Sequence, residues 1–219
     1  YVVFGKGDAF AATVNLSTLD GTNGFRLDGE AGDRSGFSVS SAGDVNGDGY
    51  DDLIISAIFA DPNGDKSGSS YVVFGTDNAF TPTVNLSTLD GTNGFRLDGE
   101  ANGDKSGYSV SSAGDINGDG YDDLIIGAHS ADINGSYSGS SYVVFGTGNA
   151  FAATVNLSSL DGTTGFRLDG EAAYDYSGYS VSSAGDVNGD GYDDLIIGAL
   201  GADINGSYSG SSYVVFGGA

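Results

Sequence analysis

Three nine-residue segments of this chain carry the residue types and the spacing of a hard-cation site. The first, Asp44-Val45-Asn46-Gly47-Asp48-Gly49-Tyr50-Asp51-Asp52, has oxygen-bearing side chains at positions one, three, five and nine, and Gly at four and six. Alternate positions of a tight turn can face inward, and Gly adopts the backbone angles that wrap a chain about a centre. Calcium takes six to eight oxygen ligands at about 2.3–2.6 Å. The spacing nominates Asp44, Asn46, Asp48, Asp52 and the backbone carbonyl of Tyr50 as ligands. It nominates Asp115, Asn117, Asp119, Tyr121 and Asp123 in the second segment, and Asp186, Asn188, Asp190, Tyr192 and Asp194 in the third, for one calcium ion per repeat and three per chain.

Other ions and other loops fit less well. Magnesium demands a tighter octahedron with more retained water, and zinc prefers His or Cys, of which the chain has only His129. An EF-hand needs flanking helices and a Glu at position twelve, where this chain has Ile55, Ile126 or Ile197. Asp51, Asp122 and Asp193, at position eight, fall outside the ligand set and face solvent or bond backbone amides. Asp, Asn and Gly also favour ion-free turns, but carboxylates spaced this closely repel one another without a cation. The shorter run Asp132-Ile133-Asn134-Gly135, with counterparts at Asp61 and Asp203, offers two oxygen ligands and reads as a turn.

The elements that hold these loops come from a repeat. The string YVVFG begins at Tyr1, Tyr71, Tyr142 and Tyr213, so sequence units run 1–70, 71–141 and 142–212, with the start of a fourth at 213–219. Phe95-Arg96-Leu97-Asp98 and Phe37-Ser38-Val39-Ser40 alternate apolar and polar residues as half-buried strands do, whereas Leu53-Ile54-Ile55 and Tyr71-Val72-Val73-Phe74 read as fully buried strands. No segment has a helical period. Glycine-rich connectors such as Gly21 to Gly24 separate the strands, so each unit reads as a four-stranded antiparallel meander with TVNLS as a short extension. Such a sheet cannot bury both faces alone, and a period of 70 or 71 residues with several strands per unit favours stacked propeller blades over a β-helix coil. The fold class is all-β, a single propeller-type array of about three blades over residues 1–219.

Composition narrows the function classes. Thirty acidic residues against seven basic ones make nucleic acid and anionic membrane poor partners. Twelve of those acidic residues lie in the three Asp-rich loops, so divalent ions there would cancel six of the 23 formal negative charges. With no Cys, no disulfide staples the fold, and bound metal is the available substitute. No apolar run approaches the roughly 20 residues of a membrane-spanning helix, and a chain that opens on Tyr1 without an initiator Met reads as a mature or excised segment.

The run SGYSVSSAGDINGDGYDDLIIGA at 106–128, followed by SGSSYVVFG at 138–146, resembles the FG-GAP repeats of integrin α-subunit propellers and their bacterial relatives. All three units carry both halves of the pattern. The resemblance implies that the calcium loop joins a blade's first two strands and carries the same five ligand positions over in each unit. It also implies that blades run out of phase with the sequence units. Complete blades are expected near 35–100 and 106–171, with a split blade formed by 177–216 and 1–30. Family propellers close with about seven blades and propellers generally need four to eight, so this array calls for further blades of a longer chain or for self-association.

The leading functional expectation is an extracellular, calcium-stabilised FG-GAP propeller, or propeller segment, acting as an adhesion or binding scaffold for a protein or carbohydrate ligand and able to self-assemble. The alternatives are a carbohydrate-binding propeller lectin, with Tyr50, Tyr121 and Tyr192 as stacking candidates, and a structural subunit of an extracellular filament. Catalysis is not expected. There is no nucleophile motif, and His129 stands where the sister units have Ile58 and Leu200. The few positions that differ between units, such as Arg34, Lys105 and Tyr176 or Lys6, Thr76 and Thr147, mark exposed surface.

Overall fold

A computed structural model describes all of residues 1–219. The fold is all-β, with strands in four sheets and three single-turn 3₁₀ segments. The first full sheet holds β3 (Val39–Gly43), β4 (Asp52–Ala57), β5 (Ser69–Val73) and β7 (Gly94–Asp98), antiparallel throughout. The second repeats it with β8 (Ser109–Gly114), β9 (Asp123–Ala128), β10 (Ser140–Val144) and β12 (Gly165–Asp169). The third holds β13 (Ser177–Gly185), β14 (Asp194–Ala199) and β15 (Ser211–Val215), without a fourth strand. At the other end of the array β1 (Val2–Val3) and β2 (Gly24–Asp28) pair antiparallel and correspond to the last two strands of the full sheets.

The blades stack because each sheet is apolar on both faces. In β4, Ile54 packs into the cluster shared with the following blade, while Ile55 packs into the opposite cluster with Tyr71 and Leu86. In β9, Ile126 faces back to the first full blade and Ile125 forward to the third. This two-sided burial explains the unbroken apolar runs in the second and third strands of each blade, since a sheet wet on one side would alternate. Each such Ile, fully buried, contributes about 1.5–3 kcal/mol relative to exposure.

TVNLS differs from the expected extension of its own unit. Residues Thr83–Asn85 form β6, which leaves its own blade and pairs in parallel with β2 of the blade before, with Arg26 opposite Thr83 and Asp28 opposite Asn85. Thr154–Asn156 form β11 and do the same on β7. The connector then turns through a 3₁₀ segment that buries Leu86 or Leu157. Phe80 stacks on Phe25, and Phe151 on Phe95, each with ring centroids 4.2 Å apart. These two connectors therefore each stitch their blade to the outer edge of the preceding one.

Candidate cation loops

Each nine-residue loop is the hairpin connection between a blade's first two strands. In the first, Asp44 Oδ1 accepts hydrogen bonds from the backbone amides of Gly47 (2.8 Å) and Asp48 (3.0 Å), and its Oδ2 accepts from Gly49 (2.9 Å). Asn46 Oδ1 accepts from the Asp48 amide (2.8 Å), and Asp48 Oδ1 from the Tyr50 amide (2.9 Å). The Asn46 amide nitrogen donates to Asp48 Oδ2 at 3.1 Å. Gly47 and Gly49 take φ of 73° and 88°, the left-handed conformation that lets the chain coil around these side chains. The same bonds recur around Asp115, Asn117 and Asp119, and around Asp186, Asn188 and Asp190. The backbone amides around Asp186, that of Gly191 foremost, hold its carboxyl below the usual range.

The ninth residue is turned into the protein. Asp52 is fully buried, its Oδ2 accepting from the Val45 amide at 3.0 Å and its Oδ1 from the Gly75 amide at 2.8 Å. Asp123 and Asp194 repeat both contacts. Burial pushes the Asp52 and Asp123 carboxyls up to about 7, against the pull of those amides and with a smaller contribution from the neighbouring loop aspartates. Every Lys or Arg ion pair in the chain lies elsewhere, on Asp28, Asp65, Asp98, Glu100 and Asp169.

The donor set fits a hard cation in its chemistry. It is oxygen only, and a carboxylate has about four lone-pair sites, so the three amide bonds on Asp44 leave one free. The loop's negative charge has no protein counter-charge, and part of it is buried, where an unpaired charge is costly. Nowhere do three or more acidic or His side chains converge closely enough to hold an ion by themselves.

The position-eight aspartates have a role that their spacing alone left open. Asp122 Oδ2 accepts from the backbone amide of Asp44, in the loop of the preceding blade, at 2.8 Å, and Asp193 does the same for Asp115 at 3.0 Å. The Asp122 and Asp193 amides donate to the Asp44 and Asp115 carbonyls at 3.2 Å. Asp51, with no complete blade ahead of it, makes neither bond. The Tyr121 ring lies over Gly47, and that of Tyr192 over Gly118, so a side chain at either glycine would collide with the ring of the next blade. These two tyrosines are interface residues.

The weaker Asp-Asn-Gly loops are closed turns. Asp61 and Asp132 accept from the amides of Lys66 (2.7 Å) and Tyr137 (2.6 Å), both in the left-handed region, while Asn63 and Asn134 tie the turns to Gly99 and Gly170. Asp203 bonds the Tyr208 amide in the same way. His129 is buried against Tyr108, ring centroids 3.9 Å apart, and its Nε2 lies 3.2 Å from Ser130 Oγ. Burial lowers its pKa to about 4. Its Nδ1 has no partner.

A family model described as FG-GAP repeat matches residues 35–73, 106–144 and 177–215, together just over half of the chain. Among proteins of similar sequence, phosphatidylinositol-glycan-specific phospholipase D of Bos taurus is 33% identical over 197 residues, 82% of this chain and 21% of that protein. Integrin alpha-PS5 of Drosophila melanogaster is 30% identical over 80% of this chain and 16% of its own length. Integrin alpha-5 of Xenopus laevis is 30% identical over 80% of this chain and 15% of its own length. The chain thus spans about a fifth or less of the length of these relatives.

Proposed function

Because the chain belongs to the FG-GAP repeat family, we propose that it is a calcium-stabilised, propeller-type binding scaffold that works outside the cell. The observation that carries the calcium part is the buried, unpaired carboxylate at position nine. Asp52 and Asp123 sit in the interior with raised pKa values and no basic side chain, an arrangement that costs stability unless a cation balances it. Asp44, Asn46, Asp48, the Tyr50 carbonyl and Asp52 would hold the ion in the first loop, and the matching residues in the other two. Bound calcium would supply the positive charge that the loops lack.

The extracellular assignment rests on the free calcium available there and on the likeness to integrin α chains. No helix of the protein is long and apolar enough to cross a membrane. As a scaffold it presents loops and blade edges to a protein or carbohydrate ligand, with no catalytic step. Tyr121 and Tyr192, engaged across blade interfaces, are poor candidates for stacking on a sugar.

Calcium titration of the chelator-treated protein, followed by calorimetry and by thermal unfolding, tests the reading. The expected result is three ions per chain and a rise in melting temperature with calcium, lost in Asp44→Ala, Asp115→Ala and Asp186→Ala combined. Identical unfolding in excess calcium and in chelator would overturn it.

A further inference from the structure

Tyr108, Tyr137, Tyr174, Tyr176 and Tyr179 gather inside the array, at the junction between the second blade (β8, β9, β10 and β12) and the third (β13 to β15), on the side away from the cation loops. Tyr108 leads into β8 and Tyr179 lies in β13. Their ring centroids are 4.8 Å apart, and the Tyr108 hydroxyl donates to the Tyr179 hydroxyl at 3.1 Å. His129, in the loop after β9, packs on both rings, 3.9 Å from Tyr108 and edge-on to Tyr179 at 5.5 Å. Tyr137, in the connection from β9 to β10, lies 5.6 Å from Tyr176 and 6.0 Å from Tyr174, both in the segment that enters β13.

The cluster is particular to this junction and is not a property of the repeat. At the junction between the first and second blades, Lys66 stands for Tyr137, Gly103 for Tyr174, Lys105 for Tyr176 and Ile58 for His129. There the ring that packs against Tyr108 is Phe37, at 5.0 Å, so that contact has one phenol where the next has two. Two phenols in contact have a specific covalent chemistry. Removal of the hydroxyl hydrogen from each gives a pair of phenoxyl radicals, whose unpaired electrons are shared between the oxygen and the ring carbons ortho to it. Pairing of the two electrons forms one carbon–carbon bond between ortho positions, and the ring hydrogens then move to the oxygens and restore both phenols. Two hydrogen atoms leave in all, and one hydrogen peroxide takes them up as two waters.

The geometry favours Tyr108 with Tyr179 over the other pairs. Theirs is the one tyrosine pair in which hydroxyl meets hydroxyl, and that contact brings the carbons flanking each phenol oxygen side by side. Holding two reacting groups together in this way converts an encounter into a step within one molecule. Tyr137 meets Tyr176 and Tyr174 with the rings closer to parallel, at 29° and 35°, and without a hydroxyl contact. His129, buried behind Tyr108, fixes the favoured pair from one side. Tyr108 has a blade on either side of it and is still only half-buried, so an oxidant reaches this row inside a continuous array.

We propose that Tyr108 and Tyr179 form an oxidative modification site, at which hydrogen peroxide, acting through a haem peroxidase, joins the two rings by a carbon–carbon bond that locks the second blade to the third. The chain has no Cys, so this bond does what a disulfide would do elsewhere. The two residues are 71 apart in sequence, and a cross-link stabilises a fold by restricting the unfolded chain, more so the longer the loop it closes. The first junction, with Phe37 in the matching place, is not cross-linked. Neither tyrosine belongs to a cation loop, so the site stands apart from the calcium reading.

The test treats the folded chain, at low protein concentration in calcium buffer, with a haem peroxidase and hydrogen peroxide, and reads the monomeric product by dityrosine fluorescence, intact mass and tandem mass spectrometry of a digest. Circular dichroism before treatment reports folding. Tyr108→Phe and Tyr179→Phe serve as the blocking variants, and both keep the fold because Phe37 already holds the same position in the first blade. Tyr137→Phe and Tyr174→Phe are the controls. The expected product is lighter than the untreated chain by two hydrogen atoms, carries its cross-link between Tyr108 and Tyr179, and melts at a higher temperature. Both blocking variants lose this product and both controls keep it. A folded wild-type chain that forms no internal cross-link would overturn the proposal, as would a cross-link that maps to Tyr137 with Tyr174 or Tyr176, or one that survives in Tyr108→Phe. The same bond formed in equal yield from the urea-unfolded chain would overturn it too, since the folded contact would then have no part in the reaction.

Discussion

Replacing Asp122 by Ala removes one hydrogen bond, and the packing of its carboxylate on Gly43, from the contact between the first two full blades. The Asp122 carboxylate accepts from the Asp44 amide at 2.8 Å in a part-buried position. A bond to a charged acceptor is worth about 1.5–3 kcal/mol, and its loss leaves the Asp44 amide short of a partner. Partial access to water sets the expected cost near 2 kcal/mol, a fall in melting temperature of about 4–8 °C for a chain of this size. Asp51 supplies the control, since it has the same loop position, the same neighbours in sequence and no partner across an interface. At protein concentrations low enough to keep the chain monomeric, Asp51→Ala should stay within about 0.5 kcal/mol of the wild type. Asp193→Ala should match Asp122→Ala. Thermal and urea unfolding of the three variants measure this, and equal shifts for Asp51→Ala and Asp122→Ala would refute the claim that position eight acts between blades.

Three further outcomes follow from burial and charge. Asp52 and Asp123 have folded pKa values of about 7, above their unfolded values, so the stability linked to their protons is fully present below about pH 4 and lost as pH rises through about 7. Chelated protein should therefore melt higher at pH 5 than at pH 7.5, by at most about 4 kcal/mol per carboxylate, while calcium affinity measured by calorimetry should fall over the same descent. His129 acts in the opposite sense: its folded pKa of about 4 lies below the unfolded value, so its contribution is present above about pH 6.5 and lost as pH falls towards 4. His129→Leu should remove that acid sensitivity and relieve an unpartnered buried nitrogen, raising stability by about 1 kcal/mol in a pH-resolved melting series. Leu86→Ala should cost about 2–5 kcal/mol in urea unfolding, as a fully buried Leu does, whereas Leu16→Ala, at the same position of an uncovered connector, should cost far less in the monomer.

The repeat, the strands and the coiled shape of the loops were legible in the sequence because each rests on local pattern. Two-sided burial writes itself as the runs Leu53-Ile54-Ile55 and Tyr71-Val72-Val73-Phe74, and a coiled turn writes itself as Gly at positions four and six. The partner of TVNLS was not legible. A three-residue segment has no periodicity to read, and nothing local says that Thr83–Asn85 should leave their own blade and pair in parallel with β2. Asp122 was half legible: its spacing put it outside the loop's inward set, but the amide it binds is 78 residues away in sequence. Gly47 carried a signal that a glycine requirement for backbone angle masked, because the same absence of a side chain also makes room for Tyr121.

Position eight and position nine adjoin in each loop, and this adjacency links the loops into a series. Asp123 is fixed by the amides of Ile116 and Gly146 inside its own blade, and Asp122, beside it, reaches back to the amide of Asp44 in the blade before. Whatever orders Asp123 also orders Asp122, and through the two bonds between Asp122 and Asp44 it orders the first residue of the preceding loop. The linkage runs along the chain, joining the third loop to the second through Asp193 and Asp115 and the second to the first through Asp122 and Asp44. Under the calcium reading, occupancy of either of two adjoining loops should raise the affinity of the other, and Asp122→Ala should weaken that coupling between the first two loops while leaving the second and third coupled.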